Sequence, residues 1–131
     1  MRSINWDDQD ITSSEILAAV GSLRKGVGAK GENINKLEKE FQDLLRCKHA
    51  ILVSNCTTAL TTSLLALKEI HPHIKKIVVP SFSFIAPANA SKFVLDNVEL
   101  IDCSSKDWNP RVEDIPKDAD AIMLVDVVKA V

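Results

Sequence analysis

Hydrophobic positions in this chain follow two different rhythms. Up to about residue 46 they recur at helical spacing: Ile16, Leu17, Val20 and Leu23 make one stripe, and Ile34, Leu37, Phe41, Leu44 and Leu45 make a second among Lys, Glu, Gln and Asp. Thr12 with Glu15 three positions later has the form of a capping box, which predicts a helix start. All the glycines, Gly21, Gly26, Gly28 and Gly31, fall in one stretch, which predicts a flexible loop between two helices.

From residue 50 the rhythm changes to short apolar runs: Ala50 to Val53, Ile77 to Val79, Val98 to Ile101 and Ala121 to Val125. They are strand-length and partly β-branched. Between the first two lies Thr57 to Ile70, where Leu60, Leu64, Leu65 and Leu67 predict a buried helix. Between the next two lies Ala88 to Leu95, and Pro87 suits a first helical turn, where its missing N–H is not needed. Strands alternating with helices read as βαβ units, so the fold class is α/β, with a mainly parallel sheet, helices on both faces and two helices in front. No repeat, low-complexity tract or linker supports a second domain.

Composition narrows the function classes. With 131 residues, 46% hydrophobic and 26% charged, the chain has the balance of a globular domain able to bury its own core. Sixteen basic against eighteen acidic residues give no electrostatic footprint for nucleic acid. Cys47, Cys56 and Cys103 lack CxxC spacing, which reads as reduced thiols in a cytoplasmic protein. No signal-peptide pattern opens the chain, and no apolar run approaches the roughly 18 residues of a membrane span.

Parallel sheets bind ligands at the carboxyl ends of their strands, so the residues after each run carry the candidate chemistry. Ser54-Asn55-Cys56-Thr57-Thr58 turns the first run into a helix. Its free backbone N–H groups and hydroxyls suit a phosphate, while the plainer reading is that Ser54, Asn55 or Thr57 caps the helix. After the second run, Phe82 and Phe84 either pack into the core or offer a ring to a planar heterocycle. Nothing basic adjoins Cys56 to activate it. His49, His71 and His73 lack metal-ligand spacing, so no metal site is expected. Asp102, Asp107 and Asp126 read either as general acids or bases or, more commonly, as turn and cap residues.

In order and spacing these pieces resemble the DegT/StrS-type sugar-nucleotide aminotransferases, which are fold-type I pyridoxal 5′-phosphate (PLP) enzymes. Gly26 to Gly31 followed by Ile34, Lys36 and Leu37-Glu38 resembles the family's glycine loop and the helix behind it. Lys48-His49-Ala50 through Val53-Ser54-Asn55-Cys56-Thr57-Thr58-Ala59-Leu60 resembles its cofactor-phosphate turn. Val79-Pro80-Ser81-Phe82-Ser83-Phe84-Ile85-Ala86 with Ala88-Asn89-Ala90, then Val98 to Asp102 with Trp108-Asn109, resemble the two following segments.

The resemblance implies that the backbone amides of Cys56 and Thr57 and the Thr57 hydroxyl hold the cofactor phosphate, and that Phe84 stacks on the pyridine ring. It also implies homodimers with a substrate pocket near the subunit interface, to which the Gly26–Gly31 loop of a neighbour contributes. A nucleotide-linked keto-sugar and glutamate are the implied substrates, in deoxyamino-sugar or surface polysaccharide synthesis.

Departures from the family pattern shape the remaining expectations. Residues 1–131 read as the N-terminal part of the large cofactor-binding domain, without the small C-terminal domain. The Schiff-base lysine and the aspartate that pairs with the pyridinium nitrogen have no match, Lys129 included, so no catalytic residue is assigned and an inactive truncated product is expected. Cys47 stands where a glycine usually ends the second helix, and Val27 where an aromatic is common. An alternative is a stand-alone binding or regulatory module that pairs with a full-length paralogue. A third reading, a small flavodoxin- or Rossmann-type domain, lacks the glycine fingerprint after its first strand.

Overall fold

A computed structural model describes residues 9–26 and 31–125. The chain divides into two compact units, Met1–Ile51 and Leu52–Val131. The first holds α1 (Ser13–Lys25) and α2 (Glu32–Leu45). Thr12 caps α1 as its sequence requires: the Thr12 N–H donates to Glu15 Oε2 at 2.7 Å, and the Ser14 N–H donates to Thr12 Oγ1 at 3.3 Å. The helix runs through Gly21 and ends at Gly26, whose φ of 94° no side chain favours. Gly21 is therefore helical and not part of the loop, because the stripe from Ile16 to Leu23 continues past it. Asn33 Nδ2 donates to Ser22 Oγ at 3.2 Å, and Lys36 pairs with Glu32 one turn away at 2.5 Å. Residues 27–30 of the glycine loop lie outside the described residues.

The second unit holds α3 (Cys56–Ile70), β1 (Lys76–Pro80), α4 (Ile85–Val94), β2 (Asn97–Ile101) and β3 (Ala121–Ile122). A 3₁₀ turn at Val112–Asp114 lies between β2 and β3. Strand order is β2-β1-β3 and both pairings are parallel, with Ile77 level with Val98 and Ala121. β1 is central, and Ile77, Val78, Val79 and Pro80 are all buried, the continuous apolar run expected of a strand covered on both faces. Pro80 ends the strand, where its missing N–H leaves no gap in the interior of the ladder.

Ile77 shares one buried cluster with Leu64 and Ile74 and with Ala90, Val94 and Leu95; Leu60, Leu67, Val98, Ala121 and Met123 pack around it. Both helices thus serve the sheet face that carries Ile77. On α3 the inward stripe is Leu60, Leu64 and Leu67, at i, i+4 and i+7, whereas Leu65 is 51% exposed. Leu65 was expected inside with the others, but a step of 100° per residue turns it away from Leu64.

Ala50 to Val53 is not a strand. Among the described residues the sheet consists of β2, β1 and β3 alone, the run belongs to none of them, and Ile51 is 78% exposed. The fourth run pairs only at Ala121–Ile122, followed by one further bond from the Met123 N–H to the Val78 carbonyl at 2.9 Å. A side-chain clasp holds this end of the chain. Asp120 Oδ2 accepts the backbone N–H groups of Lys75 and Lys76, both at 2.9 Å, and Lys76 Nζ reaches Asp118 at 2.8 Å and Glu99 at 2.7 Å. These bonds hold the Asp118 and Asp120 carboxyls below, and the Lys76 ammonium above, their usual ranges.

Candidate functional site

The candidate residues lie at the carboxyl end of the sheet. α4 leaves the end of β1 after a four-residue turn, so its N-terminus is there by connectivity. Lys68, in the last turn of α3, donates Nζ to the Val94 carbonyl at the end of α4, at 3.0 Å. The two helices therefore run side by side in the same direction, and the N-terminus of α3 lies at the same end of the unit as that of α4.

Asn55 is the cap of α3. Its Oδ1 accepts the Thr58 N–H at 2.9 Å and the Thr58 hydroxyl at 3.1 Å, and its carbonyl accepts the Ala59 N–H at 3.0 Å. Of the residues that competed for the capping role, Asn55 takes it; Ser54 supports Thr58 from 3.3 Å, and Thr57 stays out. The consequence is selective. The amides of Cys56 and Thr57, the first two of the helix, have no partner among the described residues, and neither does the Thr57 hydroxyl. Two aligned N–H groups at the positive end of a helix of 15 residues, with a hydroxyl beside them, form a neutral donor set for an oxyanion.

Phe84 caps α4 through its backbone alone, with φ −62° and ψ 156°, and its ring is 79% exposed. It makes no ring-to-ring contact among the described residues, so one aromatic face is open at this end of the sheet. Phe82, by contrast, lies against Trp108, with centroids 4.7 Å apart and planes tilted by 35°. Neither phenylalanine is buried, so the alternative of core packing fails for both. The Phe82–Trp108 contact was not legible in the sequence, since a β1 turn residue and one from the loop after β2 share no spacing rule.

The remaining candidates resolve into structural roles. Asp102 Oδ1 accepts the Cys103 N–H at 2.8 Å and Asp107 Oδ1 the Asn109 N–H at 3.2 Å, which makes both turn residues. Asp126 and Lys129 lie outside the described residues. His71 caps α3 and meets His73 edge-on at 5.7 Å. Cys47, Cys56 and Cys103 are free thiols, and among the described residues no three His, Cys, Asp or Glu side chains gather as metal ligands. No helix among those residues is long and apolar enough to cross a membrane. A groove of about 350 Å³ is lined by Pro110, Val112, Ile115, Ile122 and Leu124 with Asn109 and Val125, an apolar surface that includes none of the candidate residues.

Comparison with known proteins places this geometry in context. GDP-perosamine synthase of Escherichia coli O157:H7 is 33% identical over 89 residues, which are 68% of this chain and 24% of that protein. The spore coat polysaccharide biosynthesis protein SpsC of Bacillus subtilis is 37% identical over 79 residues, 60% of this chain and 20% of that protein. The fold matches a putative sugar aminotransferase of Streptococcus pneumoniae in its PMP form, with a TM-score of 0.79 at 20% identity, over 96% of this chain and 32% of that one. The chain thus spans about a quarter of the curated relatives and a third of the structural one. The sequence profile of the DegT/DnrJ/EryC1/StrS aminotransferase family matches residues 9–128, and the chain belongs to that family.

Proposed function

We propose that this chain forms the phosphate- and ring-binding part of a PLP-dependent sugar-nucleotide aminotransferase, one that moves an amino group from glutamate to a nucleotide-linked keto-sugar for deoxyamino-sugar or surface polysaccharide synthesis. Family membership and the names of the relatives support the reaction class. The observation that carries the reading to particular residues is the pair of open amides at Cys56 and Thr57 at the same end of the sheet as the open ring of Phe84.

The donor set suits the group. A phosphate dianion gains from the α3 dipole and from the Thr57 hydroxyl, and Asn55 keeps Thr58 engaged so that the first two amides remain available. Phe84 offers a flat apolar face that fixes the plane of a heterocycle and keeps water off it. When bound, the cofactor supplies the electron sink for amino transfer. No lysine here is assigned to hold it covalently, so this chain alone binds without turnover.

The test is a calorimetric titration of the full chain with pyridoxamine 5′-phosphate and, separately, with pyridoxamine. Saturable binding that needs the phosphate, and that weakens several-fold in Thr57→Ala, is the expected result. Equal affinity for both compounds would overturn the phosphate assignment. Amination of a nucleotide-linked keto-sugar by the purified chain with glutamate would overturn the absence of turnover.

A further inference from the structure

Among the described residues Phe84 makes no ring-to-ring contact, so its direction depends on the turn from which it projects. That turn is tied at three points. The Ser81 N–H donates to the Ile101 carbonyl at 2.8 Å, which anchors its start to the end of β2. The Ser83 hydroxyl lies 3.0 Å from the Phe84 carbonyl and 3.3 Å from that of Pro80, bridging the turn internally. Among the described residues, the ring contact that ties the turn to another element is that of Phe82 against Trp108.

Trp108 is built to provide that hold. Its own N–H donates to the Ser104 carbonyl at 2.9 Å, the Ser104 N–H to the Asn109 carbonyl at 2.9 Å, and the Lys106 N–H to the Ser104 hydroxyl at 3.1 Å. This closed loop sets Trp108 at a φ of 60°, in the left-handed region where glycine or asparagine is the ordinary occupant. A bulky aromatic at such a position points to a need for its side chain, since the backbone alone would be better served without it. Nor is the ring there to fill the core: Trp108 is 47% exposed and Phe82 41% exposed.

We propose that Phe82 and Trp108 are positioning residues for Phe84: the loop after β2 presses Trp108 onto Phe82, and this fixes the Pro80–Phe84 turn so that the Phe84 ring is held ready for a heterocycle. The cofactor end of this inference rests on the function proposed above, whereas the hold on the turn stands on its own geometry. No proton or bond moves; the effect is preorganisation, which lowers the ordering cost of binding.

Two readouts on the full chain separate the parts. The first, independent of any ligand, is ¹⁵N relaxation of the Ser81, Phe82, Ser83 and Phe84 amides. The second is the affinity for pyridoxamine 5′-phosphate together with the circular dichroism induced in its absorption band. Trp108→Gly removes the ring and suits the left-handed backbone, Trp108→Phe keeps a ring, and Phe82→Leu breaks the pair from the other side should a Trp108 variant fail to fold. Order parameters at residues 82 to 84 should fall from rigid to flexible values, from about 0.85 to below about 0.6, in Trp108→Gly and Phe82→Leu. Affinity should fall about three- to tenfold, the loss of one aromatic pair, and Trp108→Phe should restore most of both signals. Unchanged order in Trp108→Gly and Phe82→Leu overturns the proposal, and so does lost order with unchanged affinity and dichroism. If the unmodified chain binds no pyridoxamine 5′-phosphate while the variants still lose order, the cofactor reading fails and the hold on the turn is upheld.

Discussion

Leu64 and Leu65 are neighbours on α3 with opposite environments, 5% and 51% exposed, and truncating each to alanine tests the packing that orients the α3 start. Leu64 belongs to the cluster with Ile74, Ile77, Ala90, Val94 and Leu95, so Leu64→Ala loses burial and leaves a cavity that a strand and two helices close only partly. The expected cost is about 3 kcal/mol, within the range of roughly 2 to 5 for buried leucines. Leu65→Ala removes a side chain that is half in water and substitutes a better helix former, so its cost should stay within about 0.5 kcal/mol.

The 80 residues from Leu52 to Val131 have, at about 0.05–0.15 kcal/mol per residue, roughly 4–12 kcal/mol of stability in all. Loss of about 3 kcal/mol is then a large fraction of the total. In urea, with a slope of about 1–1.5 kcal/mol per molar for a unit of this size, the midpoint for Leu64→Ala should move down by about 2–3 M, and for Leu65→Ala by well under 1 M. Far-ultraviolet circular dichroism across a urea series measures both. Equal shifts in the two variants would refute the assignment of the inward stripe to Leu60, Leu64 and Leu67.

Three further outcomes follow from the geometry of the site and the clasp. Asn55→Asp keeps the capping acceptor but sets a carboxylate beside the two open amides; the urea midpoint should hold while affinity for pyridoxamine 5′-phosphate drops at least about tenfold, whereas Asn55→Ala should cost about 1 kcal/mol of stability. Phe84 and Phe93 are 79% and 77% exposed, so Phe84→Leu should weaken that binding and Phe93→Leu should leave it unchanged, as read by calorimetry. Asp120 is held below its usual range by the Lys76 and Lys75 amides, and Asp118 by Lys76. Their stabilisation is complete above the unfolded carboxylate value near 4 and is lost as pH falls through the lower folded values; urea midpoints should decline below about pH 5, less steeply in Asp120→Asn.

What the sequence made legible was local. The Thr12 capping box, the two amphipathic stripes, the apolar run of β1 and the turn into α3 each depend on residues within a few positions of one another, and each forms where expected. The expectations that failed depend on a partner. Ala50 to Val53 has the composition of a strand, but a strand exists only through its ladder, and among the described residues the run is not part of the β2-β1-β3 sheet. Leu65 shares the helix with Leu64, yet its environment depends on which face meets α4 and the sheet. The Phe82–Trp108 pair and the Asp120 clasp join residues far apart in the chain, and no periodicity announces either. At the site, Asn55 caps through Thr58 and so leaves Cys56 and Thr57 open, which lets the proposed phosphate role fall to residues of the same turn other than the cap.

That division of labour bears on how the site is controlled. The donors assigned to the phosphate are two backbone amides and a hydroxyl, none of which titrates near neutrality, so their strength depends on where the start of α3 is held. Its place is set remotely, by Leu64 in the cluster with Ala90 and Val94 and by Lys68 on the Val94 carbonyl. The ring assigned to the pyridine is likewise held from a distance, by Trp108 through Phe82. Substitutions at these supports should therefore weaken phosphate-ester binding without touching a ligand atom. Lys68→Met, which keeps the length and apolar stem of the side chain but removes its bond to the end of α4, is the cleanest case. In a chain that still folds, it should loosen the parallel seating of α3 on α4 and lower affinity for pyridoxamine 5′-phosphate while leaving the free amides chemically intact. Unchanged affinity would mean that the α3 start is placed by its own cap and connection alone.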